Sequence, residues 1–496
     1  MGSNSFRLEI AELSKGRYKR VEYIKENVRL GAGLDAQGML TEEAAQRGLR
    51  CLATFAEKLE GFAGWQIRAV ATQTLREARN RDAFLLRAQA VLKHPIEVIS
   101  GREEARLIYQ GVARLQPTLV PRLVIDIGGR STELILGHGR TVERAESFRV
   151  GSVSLSLAHF GDGRFTAQAF RNAQIAAGAE LEEALDPFAP IHWQEALGSS
   201  GTVGAVAQLL QANGQSPDGL VTPEGLRWCI ERCIEAGSVD KLNLPGLKAD
   251  RKPVLGGGLS ILYTLAMHFD IQALRPAKGA LRQGVVFDLE ERIEAITRHG
   301  QRDQRDLSVR ELQRRFLVDQ AHADRVGQRA LHLWSGLKGS RTSQEEVEAA
   351  RELHWAAALH EVGMMVSRHD HHRHSAYLLG HVDAAGFSQS QQRRLAELVL
   401  GHRGELGKLS NRHDEGLMRQ VLCLRLASIL HHARASVPAS VAALQHQGKE
   451  VTLRLQQAWA DQHPRTLHLL DEEARLWIKE GDRVLQIKLS ESDEAA

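Results

Sequence analysis

Residues 122–136, RLVIDIGGRSTELIL, restrict the fold more than any other stretch of the chain. Leu123, Val124, Ile125 and Ile127 form a short apolar run suited to a strand buried on both faces. Asp126 interrupts that run just before the pair Gly128-Gly129, where the backbone can bend sharply and lie against a ligand. Ser131 and Thr132 add hydroxyls, and a second strand opens with Glu133 in it. The stretch reads as strand, phosphate-sized turn, strand, with an acid on each side. A buried carboxylate is costly unless it is paired or holds a cation. Beside a glycine turn the natural occupant is a metal ion bridging to phosphate oxygens.

The same grammar opens the chain. Gly2-Ser3-Asn4-Ser5-Phe6-Arg7-Leu8 can be laid on Gly128-Gly129-Arg130-Ser131-Thr132-Glu133-Leu134, with glycine on glycine, Ser5 on Ser131 and Leu8 on Leu134. Both copies run straight into an extended apolar stretch. Two facing copies would close on one phosphate chain from opposite sides. A strand with an acid precedes the second turn, whereas Met1 alone precedes the first. The expectation is a first domain without that strand and its acid.

A length of 496 residues suggests about three or four domains. Hydrophobic residues at 43% with 25% charged residues exclude a disordered chain. A net charge of +3 gives no reason to expect a nucleic acid polymer as partner. Apolar runs stay short of the ~18 residues of a spanning helix, and no signal peptide is visible, so no integral membrane segment and a cytoplasmic location are expected. Cys51, Cys229, Cys233 and Cys423 are too few and scattered for a disulfide framework. Cys229 and Cys233, one helical turn apart, suit a helix face better than a metal site.

Taken in order, Ser5–Ala11 and Tyr18–Ile24 read as paired strands, and NVRLGAGLD (27–35) as a glycine-rich turn carrying Arg29. Thr41 caps a helix with Glu42 and Glu43 in its first turn. A strand over 66–71 leads into Thr72-Gln73-Thr74-Leu75-Arg76, which suits either anion binding or an N-cap beside a solvated arginine. A strand over 96–100 leads into a helix where Ser100 and Glu103 fit a capping box. Glu104 points about 100° round that helix. It either favours the helix dipole or acts as a general base on water. Residues 195–202, with Gly201, again run strand, small-residue turn, helix, and Gly256-Gly257-Gly258 reads as a third glycine turn.

At this point the sequence resembles a known family. The GSNSF opening, ATQTLREARN, VISGREEARLIYQGV, VIDIGGRSTELI, GSSGT, KGALRQGVVFDL and LHEVGMMVSRHDHHRHSAYLL look like the exopolyphosphatase and guanosine pentaphosphate phosphohydrolase family, in its long form. The resemblance implies an α/β fold of duplicated ribonuclease-H-like domains (as in actin, sugar kinases and heat-shock ATPases) over 1–112 and 113–298. An all-α HD-like domain over 299–437 and a small C-terminal β-containing module over 438–496 complete the division. It implies phosphate binding by Gly2, Ser3, Asn4, Ser5, Arg29, Thr72, Arg76, Gly128, Gly129, Ser131, Thr132 and Gly201, and Glu104 as the catalytic residue. It implies Mg²⁺ near Asp126 and Glu133 with K⁺ as a stimulating ion, a homodimer, and a cytoplasmic enzyme with peripheral contact to the inner membrane. The activity implied is Mg²⁺-dependent, processive release of orthophosphate from the end of inorganic polyphosphate. The alternatives are hydrolysis of guanosine pentaphosphate to tetraphosphate at the same centre, or a polyphosphate-binding regulator that has lost turnover. One departure from the family pattern is Arg130, where a third glycine is usual. It would strain the turn by about 1–2 kcal/mol at positive φ, or fill the phosphate site as a resident cation.

In the second half, HGQRDQRD (299–306) reads as a linker, and residues 307–435 are helical by pattern over 312–316, 326–337, 344–360, 388–400 and 417–432. Among its histidines, His360-Glu361 stands where HD-type phosphohydrolases carry His-Asp. Glutamate breaks that doublet, and a metal-free domain is expected. Arg393, Arg394 and Arg403 are candidates for a groove holding a long polyanion. From 449 to 488 the pattern alternates, in VTLRLQ, TLHLLD, RLWIKEG and RVLQIKL, as in a small sheet.

Overall fold

The computed structural model describes residues 1–14, 17–297, 303–337, 344–481 and 483–491. It divides into two compact units, Met1–Gln301 and Arg302–Ala496.

In the first unit the Gly2–Ser5 turn feeds β1 (Phe6–Ser14), which pairs antiparallel with β2 (Arg17–Glu26). Helix α1 (Glu42–Lys58) follows, and Thr41 Oγ1 accepts from the Ala44 N–H at 3.4 Å to cap it. Strand β3 (Ala69–Ala71) hands over to α2 (Gln73–Glu77) and α3 (Arg81–Leu92), and β4 (Ile96–Val98) pairs parallel with β3. Helix α4 (Gly101–Leu115) starts at Ser100, whose Oγ accepts from the Glu103 N–H at 3.1 Å. Both Glu103 oxygens are instead taken by Arg106 at 2.8 Å, because a carboxylate this buried needs a full counter-charge.

A five-stranded sheet follows in the rest of the unit. Strands β5 (Arg122–Ile127), β6 (Thr132–His138), β7 (Thr141–Phe148), β8 (Glu195–Gly198) and β9 (Leu274–Pro276) form one sheet in the order β7-β6-β5-β8-β9. The β6–β7 pair is antiparallel and the β8–β9 pair parallel, as are β1–β2 and β3–β4. Strand β5 joins its two pairs; among the described residues of the first half, no strand joins the other two. Met1 bonds the edge of β3, its amine donating to Val70 O at 2.6 Å and its carbonyl accepting from the Thr72 N–H at 3.2 Å. Each turn closes with the same bond, Gly2 N–H to Ser5 O at 3.1 Å and Gly128 N–H to Ser131 O at 2.8 Å. The match between the two glycine–serine segments is thus geometric as well as textual.

Helices α5 (Ser152–Phe160), α6 (Ala167–Leu181), α7 (Gly201–Ala212), α8 (Pro223–Ala236) and α9 (Lys252–His268) build the second core, and α10 (Leu281–Thr297) packs against α4. The turn expected at Gly256–Gly258 is not formed: the three glycines lie inside α9. They let α9 sit close to α5, since a Cβ on Gly257 would stand 2.5 Å from Ser152 O. Cys229 and Cys233 lie on the buried face of α8, and all four cysteines are buried free thiols.

The second unit comprises α11 (Gln304–Arg315), α12 (Gln320–Ser335), α13 (Gln344–Leu359), α14 (His371–His381), α15 (Gln389–Gly401) and α16 (Glu415–Leu430) around one apolar core. The linker expected over 299–306 lies partly outside the described residues. From Asp303 onward it is the cap and first turn of α11, with Asp303 accepting from the Arg305 N–H at 2.8 Å. Strands β10 (Ala442–Gln447), β11 (Glu450–Gln456) and β12 (Val484–Ser490) form a three-stranded sheet, with α17 (Gln457–Gln462) and α18 (Pro464–Glu480) inserted before β12. The extended segments expected at TLHLLD and RLWIKEG are helical, because Leu467, Leu470, Ala474 and Trp477 recur at helical spacing and pack on the core. Among the described residues no helix is long and apolar enough to cross a membrane.

Gly257→Ala should lower the unfolding free energy by ~1–3 kcal/mol by prising α5 from α9. Gly204→Ala, with nothing within 4 Å of its would-be Cβ, should be neutral or stabilise by up to about 1 kcal/mol. Urea-unfolding midpoints of the two variants beside the parent check both.

Candidate active site

A cavity of about 630 Å³ in the first unit is lined by both turns, by Gly2, Ser3, Asn4 and Ser5 from the first and Gly128, Gly129 and Ser131 from the second. Thr72, Glu104, Asp126 and Gly201 line it too. The turns meet, since a Cβ on Gly129 would stand 3.1 Å from Ser3 Cβ. Gly31 N–H donates to Ser3 O at 2.7 Å, and Arg29 N–H to Asn4 O at 2.9 Å, bracing the first turn. The start of α5 braces the second: Ser152 N–H donates to Gly128 O at 2.9 Å and Val153 N–H to Gly129 O at 2.8 Å. Tying these carbonyls into the protein stiffens both turns and removes oxygens that would repel an anion.

Asp126 ends β5 and stands in register with Glu133 on β6. Burial pushes the Asp126 carboxyl up to about 7, and the nearby Glu104 carboxylate adds to the push. Burial, Glu104 and Asp126 together hold Glu133 well above the usual carboxylate range. Glu133 is not part of the cavity wall; it lies behind Asp126, accepting from Ser147 Oγ at 2.8 Å. Arg7 near Asp126 and Arg76 near Glu133 offset this only in part. Asp126, a hard oxygen donor open to the cavity, fits Mg²⁺, which binds through one or two carboxylates plus water and phosphate oxygens.

Glu103 and Glu104 part company on the first turn of α4. Glu103 joins a buried ion network with Arg68, Arg106 and Asp288, while Glu104 lines the cavity. Arg76 Nη1 donates to Glu104 Oε2 at 2.8 Å and to Ile99 O at 3.0 Å, and its Nε donates to Gln73 Oε1 at 2.8 Å. Arg76 thus holds Glu104, and its Nη2 is buried without a hydrogen-bond partner.

Three further expectations are corrected. Thr132 is fully buried and its Oγ1 donates to Val150 O at 2.6 Å, so its hydroxyl is committed within the protein. Arg29 is exposed with φ 51°, and only its backbone serves the site, so its side chain is no phosphate ligand. Arg130 has no positive φ and does not enter the cavity; its Nε donates to Glu77 Oε2 at 2.7 Å and its Nη1 to Gly31 O at 3.3 Å.

The structure adds cations that sequence reasoning missed, Arg7, Arg251 and Arg282, together with Ser199, Ser200 and Thr202. Arg7 sits two residues past Ser5 on a strand, a spacing that places both on one face and could have flagged it. Its Nε is buried without a hydrogen-bond partner, and burial lowers its pKa. Arg251 occupies the space that a side chain at position 201 would fill. Arg282 is balanced by Glu9, its Nε donating at 2.7 Å.

In the second unit, Arg394 is neutralised by Glu352 at 2.8 Å and Asp414 at 2.6 Å and also bonds Gln420 at 2.8 Å. With its donors committed it is no polyanion ligand, which leaves only the exposed Arg393 and Arg403 of that trio.

Residues 9–293 match the model of the Ppx/GppA phosphatase family, and residues 304–474 match Ppx/GppA phosphatase, domain III. A guanosine-5'-triphosphate,3'-diphosphate pyrophosphatase of Vibrio cholerae is 36% identical over 477 residues, covering 96% of this chain and 94% of its own. A protein of the same name from Pseudoalteromonas atlantica is 36% identical over 469 residues, covering 94% and 92%. Among solved structures, an exopolyphosphatase-like protein aligns with a TM-score of 0.53 at 25% identity, over 59% of this chain and 97% of its own. An exopolyphosphatase from Cytophaga hutchinsonii shares the fold at TM-score 0.53 and 23% identity, over 58% and 96%.

The acids set a pH dependence. A folded-state pKa of about 7, against 3.8 in an open chain, means that Asp126 favours folding while protonated and that this gain is lost as pH rises through about 7. Asp126→Asn should flatten the melting temperature between about pH 4 and pH 7. Added Mg²⁺ should raise the parent's melting temperature at the alkaline end and leave the variant's unchanged; thermal scans with and without Mg²⁺ read both.

Proposed function

This chain belongs to the Ppx/GppA phosphatase family, and from that premise we propose that it hydrolyses the terminal phosphoanhydride of guanosine 5'-triphosphate 3'-diphosphate in the first unit's cavity. The observation that carries the reading is that Glu104, Asp126 and both glycine–serine turns line one space. The matching turn closures and strand pairings support reading the unit as a duplicated ribonuclease-H-like pair, with an HD-like domain and a C-terminal module after it.

Glu104 is the general base. Arg76 holds its Oε2, leaving Oε1 to take a proton from the attacking water. The turns position the terminal phosphoryl group through backbone N–H groups and the Ser5 and Ser131 hydroxyls. Arg7 and Arg251 answer the charge of the phosphates that follow. Asp126 would hold Mg²⁺, with Glu133 behind it, and the cation would neutralise phosphoryl oxygens as charge develops.

The nucleotide reading is favoured by relatives of that activity that match almost the whole chain at 36% identity. Orthophosphate release from inorganic polyphosphate, at the same centre, is the second reading, supported by the exopolyphosphatase-like structure at 25% identity. Phosphate release from both substrates, assayed side by side, separates them. The parent should show the higher kcat/KM on the nucleotide, and Glu104→Gln should lose ~10²–10⁴-fold in kcat on either. A higher kcat/KM on polyphosphate moves the assignment to the second reading. A parent that binds nucleotide yet releases no more phosphate than Glu104→Gln is a regulator without turnover.

A further inference from the structure

The second unit gathers a set of metal-ligand side chains that the phosphate chemistry does not use. His322 on α12, with His360 and Glu361 just past α13, are buried, and one ligand atom from each lies within 4.8 Å of the others. Donors sharing one zinc ion at 2.0–2.1 Å stand at most about 4 Å apart, so closure needs roughly 1 Å of side-chain movement.

The imidazoles are prepared as ligands. His360 Nδ1 lies 2.7 Å from Ala357 O, and a carbonyl only accepts, so Nδ1 carries the proton and Nε2 keeps a lone pair. His402 repeats this with Val399 O at 2.6 Å, and its ring centroid is 5.2 Å from that of His360. Metal-binding histidines are fixed in this way, with the second ring nitrogen donating to a carbonyl or carboxylate. His322, only 4% exposed, has a buried Nδ1 without a hydrogen-bond partner, as does His371, whose ring is 5.3 Å from His402. Unpaired buried nitrogens are costly, and an apolar helical core has no need of them.

Glu361 is paired with Arg434, whose Nη2 donates to both oxygens at 2.7 and 2.9 Å while its Nη1 donates to Asp319 at 3.0 Å. A carboxylate has about four lone-pair sites, so it can keep this arginine as an outer partner and still ligate a cation. Ser375 pins the doublet: its Oγ donates to His360 O at 2.9 Å and accepts from the Gly363 N–H at 2.8 Å.

We propose that His322, His360 and Glu361 bind one transition-metal dication of the zinc type, with His402 as the fourth donor. Glutamate in place of aspartate, which led to the expectation of a metal-free domain, extends the carboxylate by one methylene and still delivers it to the two imidazoles. The mixed nitrogen–oxygen set favours zinc over Mg²⁺, which takes oxygen ligands. The ion would fasten α12, the end of α13 and α15 together, so its binding stabilises this unit by mass action.

The full chain, stripped with chelator and then titrated with Zn²⁺ alone, tests this by elemental analysis after gel filtration, with Co²⁺ substituted to read ligand-field absorption. One retained equivalent per chain, cobalt absorption of a four-coordinate site and a Zn²⁺-dependent rise in melting temperature are expected. His360→Gln and Glu361→Gln, with unchanged far-UV circular dichroism, should each bind about 10–100-fold more weakly. Glu361→Gln keeps the side chain's length, so a failure of His360→Gln to fold leaves the test intact. A parent that retains no equivalent overturns the proposal, and so do variants that keep the parent's equivalent and cobalt spectrum.

Discussion

The burial of Asp126 and Glu133 close to Glu104 is the constraint around which the first unit is arranged. Burial raises Asp126 and Glu133, and Arg7 and Arg76 nearby offset it only in part. The same chain shows the other solution a few residues away, where Glu103 and Asp288 are matched by Arg68 and Arg106. The contrast between a fully paired carboxylate and a partly offset pair is what the proposed Mg²⁺ at Asp126 draws on. The turns supply the rest, since their carbonyls are tied back and their closing bonds are identical in kind.

The strand–turn–strand at 122–136, the matching opening turn and the distinct fates of Glu103 and Glu104 were legible in the sequence, because each follows from local chemistry: an acid in an apolar run, glycine beside serine, 100° per helical residue. What was not legible depended on distant partners. The 2.8 Å bond from Arg76 to Glu104, 28 residues on, is one case. Thr132 looked like a ligand until Val150 claimed its hydroxyl. Gly256–Gly258 looked like a turn because a close approach between α5 and α9 calls for the same residue as a bend does. In the tail, short alternating words hid the helical spacing of α18, which only a longer window exposes.

The histidines teach the same lesson in the other direction. One changed letter in a doublet argued against a metal, whereas the geometry depends on where the carboxylate ends up and on which ring nitrogen is already bonded. Those are properties of the backbone carbonyls of Ala357 and Val399, which no residue name records.

Arg130 has a consequence of its own. Its bonds to Glu77 and Gly31 run from the second glycine turn to the end of α2 and to the segment before α1. Any motion that parts this turn from α2 has to break a partly solvated ion pair, which weakens as ionic strength rises.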